Sequence, residues 1–397
     1  MTRLRQLQQA ECEKALPLTT AHPSPAALVA AHHDQDRRFA RAWKVLDEAI
    51  AAHAFPGAAV AITHQGKLVA LKGLGRFTYD ASAPRVQADT IYDLASVTKV
   101  VATTAMAMQL YERGLLDLDA PAVSIVPEFA AESSTGVPPA GVAASRRHNV
   151  TLSHLLTHSS GLPAYEKLFE NARTHDELLQ AAFTTPLAHD PGTHAEYSDI
   201  GFIILGVALE RLAGESPDAF SAREIFHPLA MARTGFRPPA ALRSEIPPTV
   251  DDKDFRQRII QGEVHDENAS VLGGVAGHAG LFAPAEDVAR FAHCMLTGGA
   301  PVFRPETIAL FSARQASPAG TSRALGWDTP SSPSQSGKCF SAQSYGHLGY
   351  TGASLWCDPE RQLSVTLLTN RTWPDRSTQQ IKQVRPAFHD AVVQSLP

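Results

Sequence analysis

Apolar residues recur with different periods in different parts of the chain, and each period predicts a type of secondary structure. Residues 34–52 are predicted to form a helix, because apolar side chains recur there at helical spacing. These side chains are Phe39, Trp43, Leu46 and Ile50. An apolar run at 58–63, a turn at 64–66 and a second apolar run at 67–71 predict a β-hairpin. A further short strand is predicted at 90–94.

Helical patterns dominate the middle of the chain. Five helices are predicted there, at 97–113, 151–158, 175–183, 199–213 and 217–228. The small residues, prolines and glycines at 133–145 predict a surface loop. Strand patterns return after about residue 270, at 345–351, 353–357 and 362–369, and a last helix is predicted at 378–393.

Strands near both ends of the chain, with helices between them, predict an α/β (α+β) fold in two parts. We expect a sheet domain built from residues 34–96 and 235–397, and an inserted all-helical domain at 97–234. Residues 1–33 are polar and mixed, and we expect them to form an N-terminal extension. A chain of 397 residues that is 44% hydrophobic can bury a large core.

Composition excludes several classes of function. The net charge is −5, without a basic block, which argues against nucleic acid or an anionic membrane surface as partner. The four cysteines form no C-x-x-C pair, so we expect free thiols in a reducing compartment. The chain as given shows neither a signal peptide nor an apolar membrane span, and we expect it to be cytoplasmic. The sequence calls for no cofactor or metal ion, and it leaves the oligomeric state open.

The pair Ser96 and Lys99 carries the strongest chemical signal. Lys99 is the only charged residue between Asp93 and Glu112. Helical spacing would place the serine and the lysine on one face. Burying an ammonium group among apolar residues costs free energy unless the group is paired. Burial and neighbouring charges therefore shift the pKa of such a lysine, as the activation of a nucleophile requires. The alternative is a lysine that extends to solvent from a helix end.

Two further stretches carry polar groups at element ends. Tyr197 and Asp199 stand just before an apolar helix, where Asp199 has the alternative role of helix N-cap and Tyr197 that of a core residue. His347 and Gly349 lie on a predicted strand, where a glycine permits close approach of a ligand or another backbone. The alternative for this glycine is a simple β-bulge.

These three motifs, S-x-x-K at 96–99, Y-x-(N/D) at 197–199 and H-x-G at 347–349, resemble one superfamily in order and separation. It comprises the class C β-lactamases, the low-molecular-weight penicillin-binding proteins (D-alanyl-D-alanine carboxypeptidases) and related esterases. Residues 155–163 and 274–282 also resemble segments of this family. The resemblance runs from about residue 40 to the C-terminus. It implies an antiparallel sheet flanked by helices, an adjoining all-helical domain, and a site between them.

The resemblance also implies a role for each matched residue. Ser96 would be the nucleophile that forms an acyl-enzyme. Lys99 and Tyr197 would act in the transfer of its proton. The backbone N–H groups of Ser96 and Tyr350 would hold the oxyanion. Substrate contacts would come from three further positions, namely Asp199, His347 and Gly349.

The chain departs from the β-lactamase pattern in its third motif, where H-L-G replaces K-T-G. His347 is expected to be largely uncharged at neutral pH, and Leu348 lacks the hydroxyl that family members direct toward a substrate carboxylate. We therefore expect the affinity for such a carboxylate to be about ten- to a hundred-fold lower.

The second departure is Asp199, which stands where the family has asparagine. A carboxylate beside Lys99 should keep its ammonium protonated, which makes Tyr197 the better proton acceptor. We therefore expect a proton shared between Ser96, Lys99 and Tyr197, without assigning a resting state. Asp199 also cannot donate the amide hydrogen bond that asparagine gives to an acyl side chain.

The sequence thus predicts a serine hydrolase for a small molecule or short peptide, either a small ester or a D-amino-acid peptide or amide. Alternatives are a class C-type β-lactamase and a penicillin-binding sensor that turns over slowly. A metal hydrolase built on His265, Asp266 and His278 is the weakest alternative, because these residues lack the H-E-x-x-H spacing. His278, in a glycine-rich loop, either reaches the pocket or caps it structurally, and we favour the structural role.

Overall fold

The computed structural model describes residues 27–130 and 143–397. Most of the predicted N-terminal extension, and residues 133–142 of the predicted surface loop, lie outside these ranges. Residues 143–145 of that predicted loop instead begin a helix. Val29–Ala30 is also not part of a free extension, because it forms a short strand of the central sheet.

The described residues form eleven strands. They are β1 Val29–Ala30, β2 Gly57–His64, β3 Lys67–Gly75, β4 Ile91–Asp93, β5 Gly235–Phe236, β6 Val250–Asp252, β7 Arg258–Ile260, β8 Leu281–Pro284, β9 Tyr345–Leu348, β10 Ser354–Asp358 and β11 Leu363–Thr369. The predicted hairpin and the three predicted C-terminal strands are therefore confirmed, with small shifts at their ends.

The α-helices of the described ranges include the predicted helices, and four others, at 143–148, 267–271, 285–296 and 305–312, were not predicted. They are α1 Gln35–Arg38, α2 Ala40–Ala51, α3 Ala105–Glu112, α4 Ala143–His148, α5 Leu152–Leu156, α6 His175–Thr184, α7 Asp199–Ala213, α8 Pro217–Ser221, α9 Glu267–Val271, α10 Ala285–Leu296, α11 Pro305–Ser312 and α12 Ile381–Val393. Helix α7 has the predicted bounds. None of these helices combines the length and apolar character that crossing a bilayer requires.

The central sheet has six strands in the order β1-β3-β2-β11-β10-β9, and all pairs are antiparallel except β1 with β3. Both faces of the sheet are covered by helices. Along β2, Val60 and Ile62 point to the layer formed by α2 and α12. The smaller Ala59 and Ala61 point to the opposite face, where α10 packs closely. This alternation follows the two-residue period of a strand.

Strand β4 belongs to a separate sheet of three strands in the order β4-β8-β5. After β4 the chain enters the predicted helix 97–113, which is not regular. It consists of a 3-10 turn at Ala95–Val97, a π-helical segment at Lys99–Thr104 and then α3. π-helical segments are rare and occur mostly at functional sites. Ser96 and Lys99 lie in these two irregular segments.

Candidate active site

The turn that carries Ser96 is fixed by hydrogen bonds on both sides. Ala95 has a left-handed backbone with φ of 46°, which is uncommon for a residue other than glycine. Its N–H donates to Asp93 Oδ1 at 2.8 Å. On the far side, Thr98 Oγ1 accepts from the N–H of Leu281 in β8 at 3.1 Å. Ser96 itself stays partly exposed at the end of this turn.

Lys99 lies directly behind Ser96 and is fully buried. Its Nζ atom is 3.2 Å from Ser96 Oγ and 2.6 Å from Asp199 Oδ1. A third contact is made with the carbonyl oxygen of His278 at 2.9 Å. The alternative of a lysine that extends into solvent is therefore wrong.

Burial and charge act on Lys99 in opposite directions. Burial lowers the pKa of Lys99, and the Asp199 carboxylate raises it. Burial has the larger effect, so the pKa of Lys99 lies below its usual value. The expected contact with Asp199 is present and raises the pKa of Lys99, and the larger effect of burial opposes it.

Asp199 is the first residue of α7, and it is not the N-cap. Ser198 takes that position, since its Oγ accepts from the N–H of Gly201 at 3.0 Å. The same hydroxyl donates to the carbonyl of Pro163 at 2.7 Å. Ser198 therefore satisfies the helix end and leaves the Asp199 carboxylate available to Lys99.

The Tyr197 ring packs beside Lys99, whose Nζ lies 4.9 Å from the ring centroid. The Tyr197 hydroxyl is buried and makes no hydrogen bond of standard geometry within the described ranges. Burial, followed by the negative charge of Asp199, raises the pKa of Tyr197 well above its ordinary value. The phenol is therefore neutral at neutral pH, so the prediction that Tyr197 is the better proton acceptor is not supported by these shifts.

The H-L-G motif ends β9 and packs against the residues that precede Ser96. A side chain at Gly349 would place its Cβ 2.5 Å from the carbonyl oxygen of Leu94. Thr351 Oγ1 donates to the carbonyl of Asp93 at 2.9 Å. Among the described residues, the Tyr350 N–H donates no hydrogen bond. The turn after β9 therefore packs against the residues that precede Ser96.

His347 is buried in β9, and its Nδ1–H donates to the carbonyl of Leu348 at 2.8 Å. Burial, together with the positive charges of Lys99 and Arg323, lowers the pKa of His347 well below its ordinary value. The imidazole is therefore neutral at neutral pH, as the sequence predicted. Leu348 lines the cleft above it.

Two of the three residues of the metal-hydrolase alternative, Asp266 and His278, pair with each other, and His265 pairs with an arginine. The buried His278 ring contacts Asp266 Oδ1 at 2.8 Å, a contact that lowers the pKa of Asp266 although burial acts to raise it. His265 Nε2 accepts a hydrogen bond from Arg376 at 3.1 Å. His278 also supports Lys99 through its carbonyl group. Its imidazole does not line the cleft.

The predicted residues meet in a cleft of about 590 Å³. Ser96, Tyr197, Asp199, His347, Gly349 and Tyr350 all line it. The cleft is also lined by five cationic side chains that sequence reasoning missed, namely Arg323, Arg371, Arg376, Lys382 and Arg385. No short motif marks these residues, and four of the five come from a single C-terminal stretch.

Two of these guanidinium groups are buried without a carboxylate partner in the described ranges. Arg385 is 5% exposed and donates to the carbonyls of Gly349, Ala353 and Gly352 at 2.7, 2.8 and 3.3 Å. Arg371 is 4% exposed and donates to the carbonyl of Tyr350 at 2.7 Å. The cleft therefore contains unneutralised positive charge, although His347 contributes none. The prediction of weak binding of a substrate carboxylate did not take these arginines into account.

The sequence matches known proteins over most of its length. The family model Beta-lactamase matches residues 37–386. An N-acetylmuramyl-L-alanine amidase of Bacillus subtilis (strain 168) is 31% identical over 350 residues, which cover 80% of this chain and 77% of the relative. A putative D-alanyl-D-alanine carboxypeptidase of Escherichia coli (strain K12) is 30% identical over 309 residues, which cover 71% and 69%.

Solved structures agree on the fold. EstCE1, a hydrolase with promiscuous acyltransferase activity, superposes with a TM-score of 0.71 at 22% identity, covering 89% of this chain and 99% of that one. The octameric penicillin-binding protein homologue from Pyrococcus abyssi gives a TM-score of 0.65 at 22% identity, with 83% and 73% covered. The chain therefore belongs to the β-lactamase family and is a serine hydrolase related to the penicillin-binding proteins.

Proposed function

We propose that Ser96 is the nucleophile of an acyl-transfer reaction and that Lys99 is its general base. The observation that carries this proposal is the 3.2 Å approach of the fully buried Lys99 Nζ to Ser96 Oγ. General bases act within about 2.6–3.2 Å of the proton that they remove. The partly exposed hydroxyl and the buried amine therefore meet at the floor of the cleft, where substrate can reach only the hydroxyl.

The surroundings of Lys99 also accommodate the neutral amine that a general base requires. A neutral amine has two N–H donors and one lone pair. Asp199 Oδ1 and the His278 carbonyl are two acceptors, at 2.6 and 2.9 Å. The lone pair then points to the remaining neighbour, Ser96, and accepts its hydroxyl proton. Because burial lowers the pKa of Lys99, the neutral form is also more accessible than in water.

In the first half-reaction, Ser96 Oγ attacks the substrate carbonyl while its proton moves to Lys99. The N–H groups of Ser96 and Tyr350 stabilise the oxyanion of the tetrahedral intermediate. The bond to the leaving group then breaks, and the leaving group takes a proton through the neutral Tyr197 hydroxyl or from Lys99. In the second half-reaction water attacks the Ser96 ester, which releases a carboxylic acid and restores the serine.

We propose that the substrate is a small amide or peptide with a free carboxylate near the bond that is cleaved. The buried, unneutralised guanidinium groups of Arg371 and Arg385 support this substrate class, because an anion would compensate their charge. Relatives named as an amidase of N-acetylmuramyl-L-alanine and as a D-alanyl-D-alanine carboxypeptidase support the same class. The cleft would lie between the proposed helical domain (97–234) and the proposed sheet domain (34–96 and 235–397).

Small esters are the second candidate. Leu348 lines the cleft at the position where the family has a hydroxyl, and Asp199 lacks the amide donor of asparagine. Both changes remove hydrogen bonds that a β-lactam or an acylated peptide would accept. An ester, whose leaving group is easier to expel, depends less on these contacts.

A matched pair of substrates tests the proposal. An N-acyl-D-alanyl-D-alanine with a free carboxylate would be compared with its C-terminal carboxamide, beside a nitrophenyl ester. We expect multiple turnovers, with kcat/KM about ten- to a hundred-fold higher for the free carboxylate. Equal rates for the pair would overturn the carboxylate assignment, and release of one equivalent only would indicate the slowly turning-over sensor. Turnover of the ester alone would favour the second candidate.

A further inference from the structure

Outside the cleft, three side chains with metal-ligating atoms converge on the segment between α6 and α7. They are His189, His194 and Glu196, and their ligand atoms all lie within 4.8 Å of one another. The two imidazole rings are 4.5 Å apart between centroids, and His189 Nε2 lies 3.9 Å from Glu196 Oε2. None of the three lines the Ser96 cleft.

The backbone of this segment is held in place at several points. The N–H groups of Ala188 and Gly192 donate to the carbonyls of Gly161 and Ser159 at 2.7 and 2.8 Å. The N–H of Glu196 donates to the carbonyl of His158 at 2.9 Å. A ligand set on an anchored backbone loses less conformational entropy on binding a metal than one on a free loop.

The neighbouring acidic residue does not compete for this site. Asp190 is paired with Arg146 at 2.5 Å, so its carboxylate is already neutralised. His189 and His194 are exposed, which leaves room for water as a further ligand. The three side chains therefore present two imidazoles and one carboxylate without a cation among them.

We propose that His189, His194 and Glu196 form a binding site for a zinc ion. Two imidazoles and one carboxylate are a ligand set that Zn²⁺ accepts, with water in the fourth position. Ligand atoms about 2.1 Å from a tetrahedral metal lie about 3.4 Å apart, so modest side-chain rotations close the site. Oxygen-seeking Mg²⁺ and Ca²⁺ would not prefer this set.

Because the site lies close to Tyr197 in the chain, a bound zinc ion would also affect the structure beside the cleft. Glu196 directly precedes Tyr197, and the His158 ring lies 4.7 Å from the Tyr197 ring. A bound ion would join residues 189 and 194 to the segment that leads into the cleft. We therefore expect zinc to stabilise this segment while the ion itself stays away from the reacting atoms.

Zinc titration of the chelator-treated protein against a chromophoric chelator tests the proposal. We expect the wild type to bind one equivalent of Zn²⁺ that His194→Ala and Glu196→Gln lose or bind at least about tenfold more weakly. His175→Ala is the matched control, because His175 is also exposed and also lies beside a carboxylate, Asp176, at 3.1 Å. This control should bind zinc like the wild type.

Equal stoichiometry and affinity in the wild type, His194→Ala and Glu196→Gln would overturn the proposal. Loss of binding in His175→Ala as well would also contradict it, since zinc binding would then depend on exposed histidines in general and not on this site. The measurement records binding rather than turnover. Its failure would therefore leave the proposed reaction at Ser96 untouched.

Discussion

The two sides of the Ser96 cleft both bury basic side chains, but these side chains have different partners. On the lysine side, Lys99 is fully buried and lies 2.6 Å from the Asp199 carboxylate. On the arginine side, formed by Arg371 and Arg385, the buried groups contact backbone carbonyls and no carboxylate within the described ranges. One side is neutralised by the protein itself, whereas the other leaves room for an anion from outside.

This difference separates two tasks that a hydrolase must perform. A compensated amine whose pKa is lowered by burial can exchange a proton with a neighbour. An uncompensated guanidinium cannot give up its proton in practice, and it is suited to holding a charge in place. Burying such a group costs several kcal/mol unless it gains good partners, and carbonyl dipoles offset only part of that cost. The arginine side is therefore stabilised further when a carboxylate binds.

The largest expected effect comes from the lysine side. Lys99→Met keeps the length of the side chain but removes the base, so kcat/KM should fall by about 10²- to 10⁴-fold. Lys67→Met, which removes an exposed lysine at the start of β3, is the control and should leave turnover unchanged. Steady-state kinetics with the free-carboxylate substrate provide the measurement. A Lys99→Met enzyme within tenfold of the wild type would remove Lys99 from the reaction.

The arginine side should respond to the charge of the substrate. Arg385→Gln keeps some hydrogen bonding to the carbonyls of the H-L-G turn but removes the positive charge. We expect kcat/KM for the free carboxylate to fall about ten- to a hundred-fold, and for the carboxamide to fall less. The control is Arg37→Gln, whose side chain is 88% exposed. An equal fall for both substrates would make Arg385 a positioning residue without a role in charge recognition.

His389, one helical turn after Arg385 in α12, reports on the same region. Burial, with a smaller contribution from Arg385, lowers the pKa of His389 to about 4. The unfolded chain then binds more protons between pH 6.5 and 4, so the stability that the neutral ring provides is lost as the pH falls. From pH 7 to pH 5, this residue alone should lower the free energy of unfolding by about 2 kcal/mol.

Urea unfolding at the two pH values measures this loss. His389→Gln does not titrate and should lose less stability between pH 7 and pH 5 than the wild type. His227→Gln, at an exposed position, is the control and should follow the wild type. An identical pH dependence in all three proteins would show that His389 is not kept neutral by its burial.

Asp199→Asn should produce the smallest effect and acts on the lysine side. The Asp199 carboxylate raises the pKa of Lys99, so its removal should lower that pKa further. Because the base must be neutral to accept the Ser96 proton, activity rises as the pH passes the pKa of Lys99. The rising limb of the kcat/KM profile should therefore move to lower pH. A shift to higher pH would contradict the assigned direction.

Sequence reasoning predicted the elements whose pattern is local. The β2–β3 hairpin, the C-terminal strands and α7 each rest on a continuous apolar pattern, and each is present. The motifs also predicted that Ser96, Lys99 and Tyr197 would meet, and the structure brings them together. Local patterns and short motifs carry this information because neighbouring residues define them.

The remaining features depend on tertiary structure. The pKa shifts of Lys99 and Tyr197 follow from the burial of the lysine and of the tyrosine hydroxyl, which no motif encodes. Arg371 and Arg385 reach the cleft only because β11 and α12 fold back onto the turn after β9. The short β1 strand pairs with β3 through two residues, too few for any periodic signal.

Covalent labelling with a fluorophosphonate tests the central claim most directly. In this reaction Ser96 Oγ attacks phosphorus and fluoride leaves, so the adduct marks the nucleophile by mass. We predict one adduct per chain, located on the peptide that contains Ser96, absent in Ser96→Ala and formed more slowly in Lys99→Met. An adduct on another residue, or undiminished labelling of Ser96→Ala, would contradict the assignment of Ser96 as the nucleophile.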